Sequence, residues 1–263
     1  KEPIRTKENL RALSSQRRNG VICMKIMMPE LPATGKWLPV VPGVEFYQDS
    51  GYFLNGRPIS YRVSEVITTK TEREWFAKTR FGEHGEDKQV ELLLAIERGI
   101  KTHEWFNHKV RGRSYDPTPY QDLCKHLAAN EIWENWEVVA SEYVMIDPRR
   151  SIGGTCDLIL RHKTERDRYA VADIKTKGCA IGKSGKPIIP NQKNYSAQLG
   201  GYINLLNLTW PQLKVEDCFV IYASELMSQI HKDRAGNNKY YWLDCLDTYE
   251  GCRKAFFMEM GDI

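Results

Sequence analysis

Three residues near the middle of the chain have the types and the spacing of a hydrolytic metal site. Asp157 lies in one apolar stretch, and Asp173 and Lys175 lie in the next. Side chains two positions apart on a strand share a face, so Asp173 and Lys175 should project together, and a tight turn between the stretches would bring Asp157 beside Asp173. Adjacent carboxylates repel each other unless a cation separates them, and their hard oxygen atoms favour Mg²⁺ or Mn²⁺. Such an ion activates water and offsets phosphate charge, and a lysine beside it can orient the water, so the spacing predicts phosphodiester hydrolysis.

An Asp-x-Lys pattern can also be a surface ion pair, which contributes little to stability. The neighbours of Asp173 and Lys175 argue against this alternative, because residues 158–160 are apolar and Val171 and Ile174 flank the acid. Ionisable groups in such surroundings usually have a function.

The surrounding pattern predicts the elements that hold these residues. Alternation predicts strands at 136–146, 154–160 and 169–175, joined into an antiparallel meander. Helices are predicted at 63–81 with Ser64 as its cap, at 88–110 with an interruption at Gly99, and at 117–129, 196–208 and 246–258. Further strands are predicted at 218–223 and 239–243, and Asn55-Gly56 predicts a hairpin turn. This order indicates an α/β fold with a central mixed sheet flanked by helices.

The order of three motifs resembles that of the RecB-like branch of the PD-(D/E)xK nuclease superfamily, which includes RecB nuclease domains and exonucleases of phage and mitochondrial type. The motifs are Gly154-x-x-Asp157, then Asp173-x-Lys175, then Gln198-Leu-Gly-Gly-Tyr202. The resemblance covers about residues 52–202 and implies a PD-(D/E)xK, restriction-endonuclease-like core.

The resemblance also implies roles for the central residues. Asp157, Asp173 and the carbonyl of Ile174 would hold Mg²⁺ or Mn²⁺, and Lys175 would place the attacking water. No other cofactor is implied.

Two further residues are candidates for the same site. His103, in a segment similar to the family's Gly-x-x-x-His helix, would be an additional metal ligand, and the alternative is a structural histidine. Glu142, on the first strand of the meander, matches an acid that lies near the metal in the family, and the alternative is a surface position on that strand.

Gln198 and Tyr202 are one helical turn apart, so their side chains should share a face. In the family this face looks toward the metal and the DNA backbone, which implies that the two residues orient Lys175 or the scissile phosphate. Gly200 and Gly201 between them would let the helix pack closely on the sheet.

The chain departs from its presumed relatives in two respects. Some of them carry an iron–sulfur cluster, but Cys218, Cys245 and Cys252 have the wrong spacing and no CxxC pair exists, so neither a cluster nor a zinc site is expected. Exonucleases of the lambda type usually have glutamate where this chain has Asp173.

Basic residues concentrate in two segments of a chain whose formal net charge is +4. Residues 1–45 are predicted to be a basic N-terminal arm before a single nuclease domain at 46–263. The loop after Lys175 carries Lys177, Lys183, Lys186 and Lys193 and no acidic residue. Basic tracts beside a reactive site suit a polyanion, so both segments are predicted to contact DNA phosphates, and the alternative is a solvated surface.

These features predict a metal-dependent DNA nuclease, and the resemblance to RecB-like nucleases, which often bind single-stranded ends, implies an exonuclease that acts on DNA ends or single-stranded flaps. The alternatives are a sequence-specific endonuclease of the same fold, for which no target-reading domain is recognisable, and a catalytically silent DNA-binding subunit, against which the complete catalytic set argues. No apolar run approaches the roughly 20 residues of a membrane span. The scattered cysteines suit reduced thiols in a cytoplasmic compartment, of a bacterial or phage-infected cell or alternatively of a mitochondrion.

Overall fold

The computed structural model describes residues 36–176, 193–223, 231–232, 238–239, 242–244 and 249–260. Most of the predicted basic arm lies outside these ranges, as does Cys245.

The chain forms strands and helices in alternating groups. The strands are β1 (Val44–Tyr47), β2 (Gly51–Leu54), β3 (Arg57–Pro58), β4 (Tyr61–Arg62), β5 (Trp136–Asp147), β6 (Ile152–His162), β7 (Arg168–Lys175), β8 (Lys214–Tyr222), β9 (His231–Lys232), β10 (Asn238–Lys239) and β11 (Trp242–Asp244). The helices are α1 (Val63–Ile67), α2 (Lys70–Arg80), α3 (Glu86–Val110), α4 (Gln121–Ala128), α5 (Ile132–Asn135), α6 (Lys193–Thr209) and α7 (Tyr249–Met260).

The central sheet has the strand order β11-β8-β7-β6-β4, and β5 also pairs with β6. β5, β6 and β7 form the predicted antiparallel meander. β8 runs parallel to β7, β4 runs parallel to β6, and β11 runs antiparallel to β8. The mixed sheet expected from the order of elements is confirmed.

Helices cover both faces of this sheet. On one face, Ile203 of α6 and Phe256 of α7 share a buried apolar cluster with Val171 of β7. On the opposite face, Phe106 of α3 packs in a cluster with Ala172 of β7, to which α4 and α5 also contribute. Because successive strand residues point to opposite faces, Val171 and Ala172 each pack in a different apolar layer. The predicted α/β fold, with helices on both sides of a sheet, is therefore confirmed. Within the described ranges, no helix has the length and apolar character needed to cross a membrane.

One edge of β6 is interrupted, and this interruption positions the candidate site. β7 pairs with β6 as far as Ala172 opposite Leu158 and then separates from it. β4 reaches the same edge only at the start of β6, since β5 occupies the other edge. Residues 154–157 therefore have no partner strand on this edge within the described chain. We call this stretch the β6 gap.

β1, β2 and β3 form a second, small antiparallel sheet. Asn55 and Gly56, with φ of 50° and 74°, make the two-residue turn between β2 and β3, which confirms the predicted hairpin. Tyr52 and Leu54 of β2 are buried against Ile146 of β5, so the small sheet lies over the central one. It has an inner face toward the central sheet and an outer face away from it.

The helix predicted over 63–81 is two helices. The chain leaves the helical conformation at Thr68 and Thr69. The Thr69 hydroxyl accepts the backbone N–H of Glu72, and the Glu72 carboxylate accepts the N–H of Thr69. This reciprocal capping box starts a new helix. Arg62 rather than Ser64 is the residue before the first helix, so the predicted cap was wrong.

The glycines within α3 and α6 were predicted to interrupt one helix and to let the other pack on the sheet, and the structure differs on both points. Gly99 does not interrupt α3, which continues through it. A Cβ at Gly200 would lie 1.9 Å from the carbonyl oxygen of Cys252 in α7, and one at Gly201 would lie 2.7 Å from Cγ1 of Val63 in α1. The paired glycines thus permit close packing as predicted, but against neighbouring helices rather than the sheet.

Residues before β1 belong to the packed structure. Val41 is buried in the cluster under α6 and α7. The backbone N–H of Leu38 donates to the carbonyl oxygen of Val139 at 2.8 Å. The hydroxyl of Tyr143 donates to the carbonyl oxygen of Pro39 at 2.6 Å. The packed chain therefore begins earlier than residue 46, where the sequence places the start of the domain.

Candidate active site

Asp157 and Asp173 meet where β6 and β7 separate, and both residues are buried, with exposed fractions of 9% and 2%. The backbone N–H of Ile174 donates to Oδ2 of Asp157 at 2.7 Å, which ties the strands together just beyond their last ladder pair. Burial raises the pKa of Asp173 to about 6 despite the opposing charge of Lys175, and the charge of Asp157 adds to the rise. Burial also raises the pKa of Asp157. We call the place where β6 and β7 separate the fork. It gathers carboxylate charge away from water, which is costly without a cation.

Lys175 supplies a cation on one side of this pair. Its Nζ lies 2.6 Å from Oδ2 of Asp173, so the two side chains project together as the strand alternation predicts. Burial by itself would lower the pKa of Lys175, but the charges of Asp173 and Asp157 outweigh it and raise the pKa. The ammonium group therefore stays charged at neutral pH.

Gln198 and Tyr202 share one face of α6, as predicted, and hold the ammonium group from that side. Nζ of Lys175 donates to Oε1 of Gln198 at 3.1 Å, and Nε2 of Gln198 donates to the hydroxyl of Tyr202 at 3.0 Å. Tyr202 can reach this place because Gly154 in the β6 gap has no side chain, since a Cβ there would lie 3.1 Å from the Tyr202 ring.

Tyr195 also belongs to the site, although the sequence motifs did not identify it. The ring of Tyr195 lies 5.1 Å from Nζ of Lys175, within the range of a cation–π interaction. Positions 195, 198 and 202 follow helical spacing, and this pattern is the signal that could have revealed the residue.

His103 lies on the other side of the fork, surrounded by oxygen atoms. Its Nε2 is 3.0 Å from the carbonyl oxygen of Ile174, and its Nδ1 is 3.4 Å from Oε1 of Glu142 and 3.7 Å from Oδ2 of Asp157. Burial would lower the pKa of His103, but the charge of Asp157 and the hydrogen bond and charge of Glu142 outweigh it and raise the pKa to about 9. At neutral pH the imidazole is therefore protonated among these oxygens.

Glu142 reaches the fork through an unusual backbone conformation. Its φ is +48°, in the left-handed region that glutamate rarely adopts. Its neighbours remain paired, Ser141 with Leu158 and Tyr143 with Cys156, so the distortion is confined to the one residue opposite Asp157. Such a conformation costs on the order of 1–3 kcal/mol and persists where the surroundings impose it. The predicted proximity of Glu142 to the site is thus present in the structure.

These groups form a donor set that fits a hard divalent cation. His103, Glu142 and Asp157 each offer a ligand atom, and these atoms lie within 4.8 Å of one another. Oδ2 of Asp173 is buried and pairs with Nζ of Lys175 at 2.6 Å. Asp157, Asp173 and Ile174 also line one cleft, and their oxygen atoms are of the type that hard cations favour.

The structure does not describe where the side chains of the predicted DNA-contacting lysines lie. Lys177, Lys183 and Lys186 lie outside the described residues, and Lys193 is described only as the first residue of α6. Their contact with phosphates stays a prediction.

The fork opens into a cleft of about 440 Å³ at the end of β7. Its lining joins both sides of the site: His103, Asp157, Asp173, Ile174, Lys175, Thr176, Tyr195 and Gln198. Every residue implied to touch metal or water, apart from Glu142 and Tyr202, is in this lining.

No protein-family model matches the chain, and no curated protein matches it. Among solved structures, that of SSO0001 aligns with 77% of this chain and 75% of its own length, with a TM-score of 0.32 and 13% sequence identity. This likeness is too low to carry an argument about the fold or the function.

Proposed function

We propose that this protein is a metal-dependent DNA nuclease with a PD-(D/E)xK core of the RecB-like type. The observation that carries the proposal is the convergence of Asp157, Asp173 and Lys175 at the fork of two apolar strands. Two buried carboxylates beside a half-buried ammonium group have no evident structural purpose, because taking their charges out of water opposes folding. The order of the sequence motifs and the mixed α/β sheet are consistent with this core.

The residues of the site would have different roles in phosphodiester hydrolysis. Asp157, Asp173 and Ile174 would hold Mg²⁺ or Mn²⁺, with His103 and Glu142 as further ligands. When bound, the ion would supply Lewis-acid activation of water and neutralisation of phosphate charge. Lys175 would orient the attacking water, because its ammonium group is fixed beside the carboxylates and donates hydrogen bonds to oxygen.

The resemblance of the sequence motifs to those of RecB-like nucleases, which often bind single-stranded ends, favours action on ends or single-stranded flaps. The alternative of an endonuclease uses the same residues. A silent DNA-binding subunit is less well supported, because Asp157, Asp173 and Lys175 are all present and line the same cleft.

The test is incubation with labelled linear single-stranded DNA, linear duplex and closed circular single-stranded DNA, in Mg²⁺ or Mn²⁺ and in chelator. Metal-dependent loss of the linear substrates with an intact circle supports an exonuclease, whereas opening of the circle supports the endonuclease. Asp173→Asn should abolish cleavage and retain DNA binding, because affinity depends mainly on phosphate contacts. Metal-independent cleavage, or full activity of Asp173→Asn, would refute the proposed site.

A further inference from the structure

The backbone at Glu142 is left-handed, although the pairing of its strand does not require this conformation. The pairs on either side, Ser141 with Leu158 and Tyr143 with Cys156, keep one register, so an extended residue at position 142 would fit between them. For a glutamate the left-handed form is unfavourable relative to extended backbone. Contacts outside the β5–β6 ladder must therefore hold β5 in this conformation.

The two neighbours of Glu142 have their side chains on opposite faces of the sheet. Ser141 contacts Asn107 of α3, whereas Tyr143 belongs to the apolar cluster that α6 and α7 cover. In a regular strand, residues two positions apart share a face. The alternation of β5 is therefore reversed at Glu142, the residue whose φ is left-handed.

Two side chains of α3 hold β5 at the residue before Glu142. Oγ of Ser141 donates to Oδ1 of Asn107 at 2.5 Å, and Nη2 of Arg111 donates to the carbonyl oxygen of Ser141 at 3.3 Å. Nε of Arg111 donates to the same Oδ1 of Asn107 at 2.9 Å, so the two residues of α3 support each other. Because Ser141 is only 3% exposed, these bonds form largely away from bulk water.

The bond to the Ser141 carbonyl acts on the conformation of Glu142. The carbonyl of Ser141 and the N–H of Glu142 belong to one planar peptide unit. The angle φ of Glu142 sets how this plane is turned relative to the rest of the residue. A hydrogen bond that fixes the direction of the Ser141 carbonyl therefore restricts φ of Glu142, and with it the direction of the glutamate side chain.

The same helix brings His103 to the fork. His103, Asn107 and Arg111 follow at intervals of four residues, which places them along one face of α3. Nδ1 of His103 lies 3.4 Å from Oε1 of Glu142. The guanidinium group of Arg111 also lies 5.0 Å from the centre of the Trp37 ring, which packs against the apolar cluster under α3. The relative position of two candidate ligands is thus set by contacts of α3 outside the fork.

We propose that Asn107 and Arg111 are positioning residues of the metal site, which hold Glu142 in its left-handed conformation and so place its carboxylate among the metal ligands. This role rests on the proposed function and deepens it, because it gives α3 a part in metal affinity beyond the imidazole of His103. Neither residue lines the cleft, so the effect of each on the ion passes through Glu142.

The test is calorimetric titration of the full chain with Mn²⁺, without DNA, in a double-mutant cycle of Asn107→Leu and Glu142→Gln. Leucine is close to asparagine in shape but cannot accept the two hydrogen bonds. Asn107→Leu should lower Mn²⁺ affinity about tenfold, the scale expected when the support of a ligand is lost. In the Glu142→Gln background the same change should alter the affinity less than twofold, since the carboxylate that Asn107 positions is already absent.

Further variants separate positioning from a loss of stability. Asn107→Asp keeps the accepting oxygen and should restore most of the affinity. Arg111→Gln should lower Mn²⁺ affinity, although loss of a positive charge by itself would raise it. Arg113→Gln is the matched control, because it removes the same charge from an exposed position two residues further on, and the affinity should not fall. Denaturant unfolding of each variant measures stability separately.

Several results would overturn the positioning role. These are an unchanged Mn²⁺ affinity of Asn107→Leu, an equal loss with and without the Glu142 carboxylate, wild-type affinity of Glu142→Gln, or no binding of Mn²⁺ by the folded wild-type chain. If Asn107→Leu does not fold, Arg111→Gln and Arg113→Gln decide, and equal affinities of these two variants contradict the role.

The outcome is separable from that of the nuclease proposal. If the chain cleaves DNA but Asn107→Leu binds Mn²⁺ normally, the positioning role fails and the nuclease proposal stands. If Mn²⁺ affinity depends on Asn107 through Glu142 but no preparation cleaves DNA, the nuclease proposal fails and the positioning role stands.

Discussion

The two helices beside the β6 gap contribute to one site but are held in different ways. α6 is buried over most of its length, and Gly200 and Gly201 let α7 and α1 approach its backbone closely. α3 has only Thr102 and Phe106 fully buried, and its first half exposes apolar residues such as Leu94. The helix that supports Lys175 is therefore fixed by packing along most of its length, whereas the helix that carries His103 packs mainly around Phe106 and is joined to the fork by polar contacts of His103.

The charges follow the same division. On the α6 side, Lys175 remains charged across the neutral range and is fixed by Gln198. On the α3 side, the compensating charge is the proton of His103, whose raised pKa of about 9 depends on the acids around it. The Lys175 side of the site is preorganised. The His103 side responds to pH, and a metal cation there would compete with the imidazole proton for the same oxygen atoms.

The largest effect is expected from removing the fixed cation. Lys175→Met should reduce cleavage about 10³-fold at saturating Mn²⁺, because it removes the group that orients water at the fork. Single-turnover rates and DNA affinity should be measured together, and the affinity should change little. Lys163→Met, in the turn at the far end of the same hairpin, is the control and should retain the wild-type rate. A fall of less than tenfold for Lys175→Met would mean that the ammonium group serves the fold alone.

The packing contrast can be tested with one alanine in each helix. Gly200→Ala should lower the free energy of unfolding by about 3 kcal/mol, because its Cβ would collide with the backbone of Cys252. Gly99→Ala should raise it by up to about 1 kcal/mol, since a Cβ there would meet only Oγ1 of Thr176 at 3.7 Å and alanine favours the helix. Denaturant unfolding of both variants provides the measurement. Similar destabilisation by the two alanines would show that α3 is packed as tightly as α6.

The raised pKa of His103 predicts that metal binding depends on pH. Protonated His103 competes with a cation for the oxygens of Glu142 and Asp157, so Mn²⁺ affinity should rise by up to about tenfold per pH unit between pH 7 and 9. In His103→Asn this rise should disappear, leaving only the rise near pH 6 that follows deprotonation of Asp173. Calorimetric titration at several pH values measures both, with His126→Asn on α4 as the control. A wild-type affinity that is already flat above pH 7 would contradict the competition.

If His103 is also a ligand, its replacement has a second consequence. Imidazole favours Mn²⁺ over Mg²⁺ more than carboxylate oxygen does. The ratio of activities in Mn²⁺ and Mg²⁺ should then be lower in His103→Asn than in the wild type at pH 9, where about half of the imidazole has lost the competing proton. An unchanged ratio with a reduced melting temperature would indicate a structural histidine.

The smallest effect concerns the outer end of the hydrogen-bond chain. Tyr202→Phe removes the hydroxyl that receives the Gln198 amide, and it should lower kcat about fivefold with little change in KM, as expected for one hydrogen bond. Tyr143→Phe is a contrasting variant, because its hydroxyl joins Pro39 and Trp210 away from the fork. It should lower stability and leave kcat unchanged. A change in KM for Tyr202→Phe, with kcat unchanged, would argue against a positioning role.

Much of the fold could be predicted because the relevant patterns are local. The meander follows from alternation within three strands, and the turn at Asn55 and Gly56 follows from the conformations those residues adopt easily. The errors occurred where local patterns were weak. The break at Thr69 depends on a capping box that was not recognised within a continuous helical pattern.

The candidate site was predictable to different degrees. Asp173 and Lys175 share a face by strand period alone, and their contact follows. Tyr195 carries no motif of its own and was missed, although its helical spacing from Gln198 was visible in the sequence. The approach of Glu142 to His103 was only one of two alternatives, because alternation on β5 does not indicate a left-handed residue.

The sequence by itself determined the strand period that aligns Asp173 with Lys175, the helical turn that aligns Gln198 with Tyr202, and the types of atom available to a cation. These depend on bonds and torsions within a few residues. Only the tertiary structure decided that β7 leaves β6 at Asp157, that Glu142 turns toward His103, and that the small sheet stands beside the β6 gap. These features depend on contacts between residues far apart in the chain, whose energies exist only once the layers have packed together.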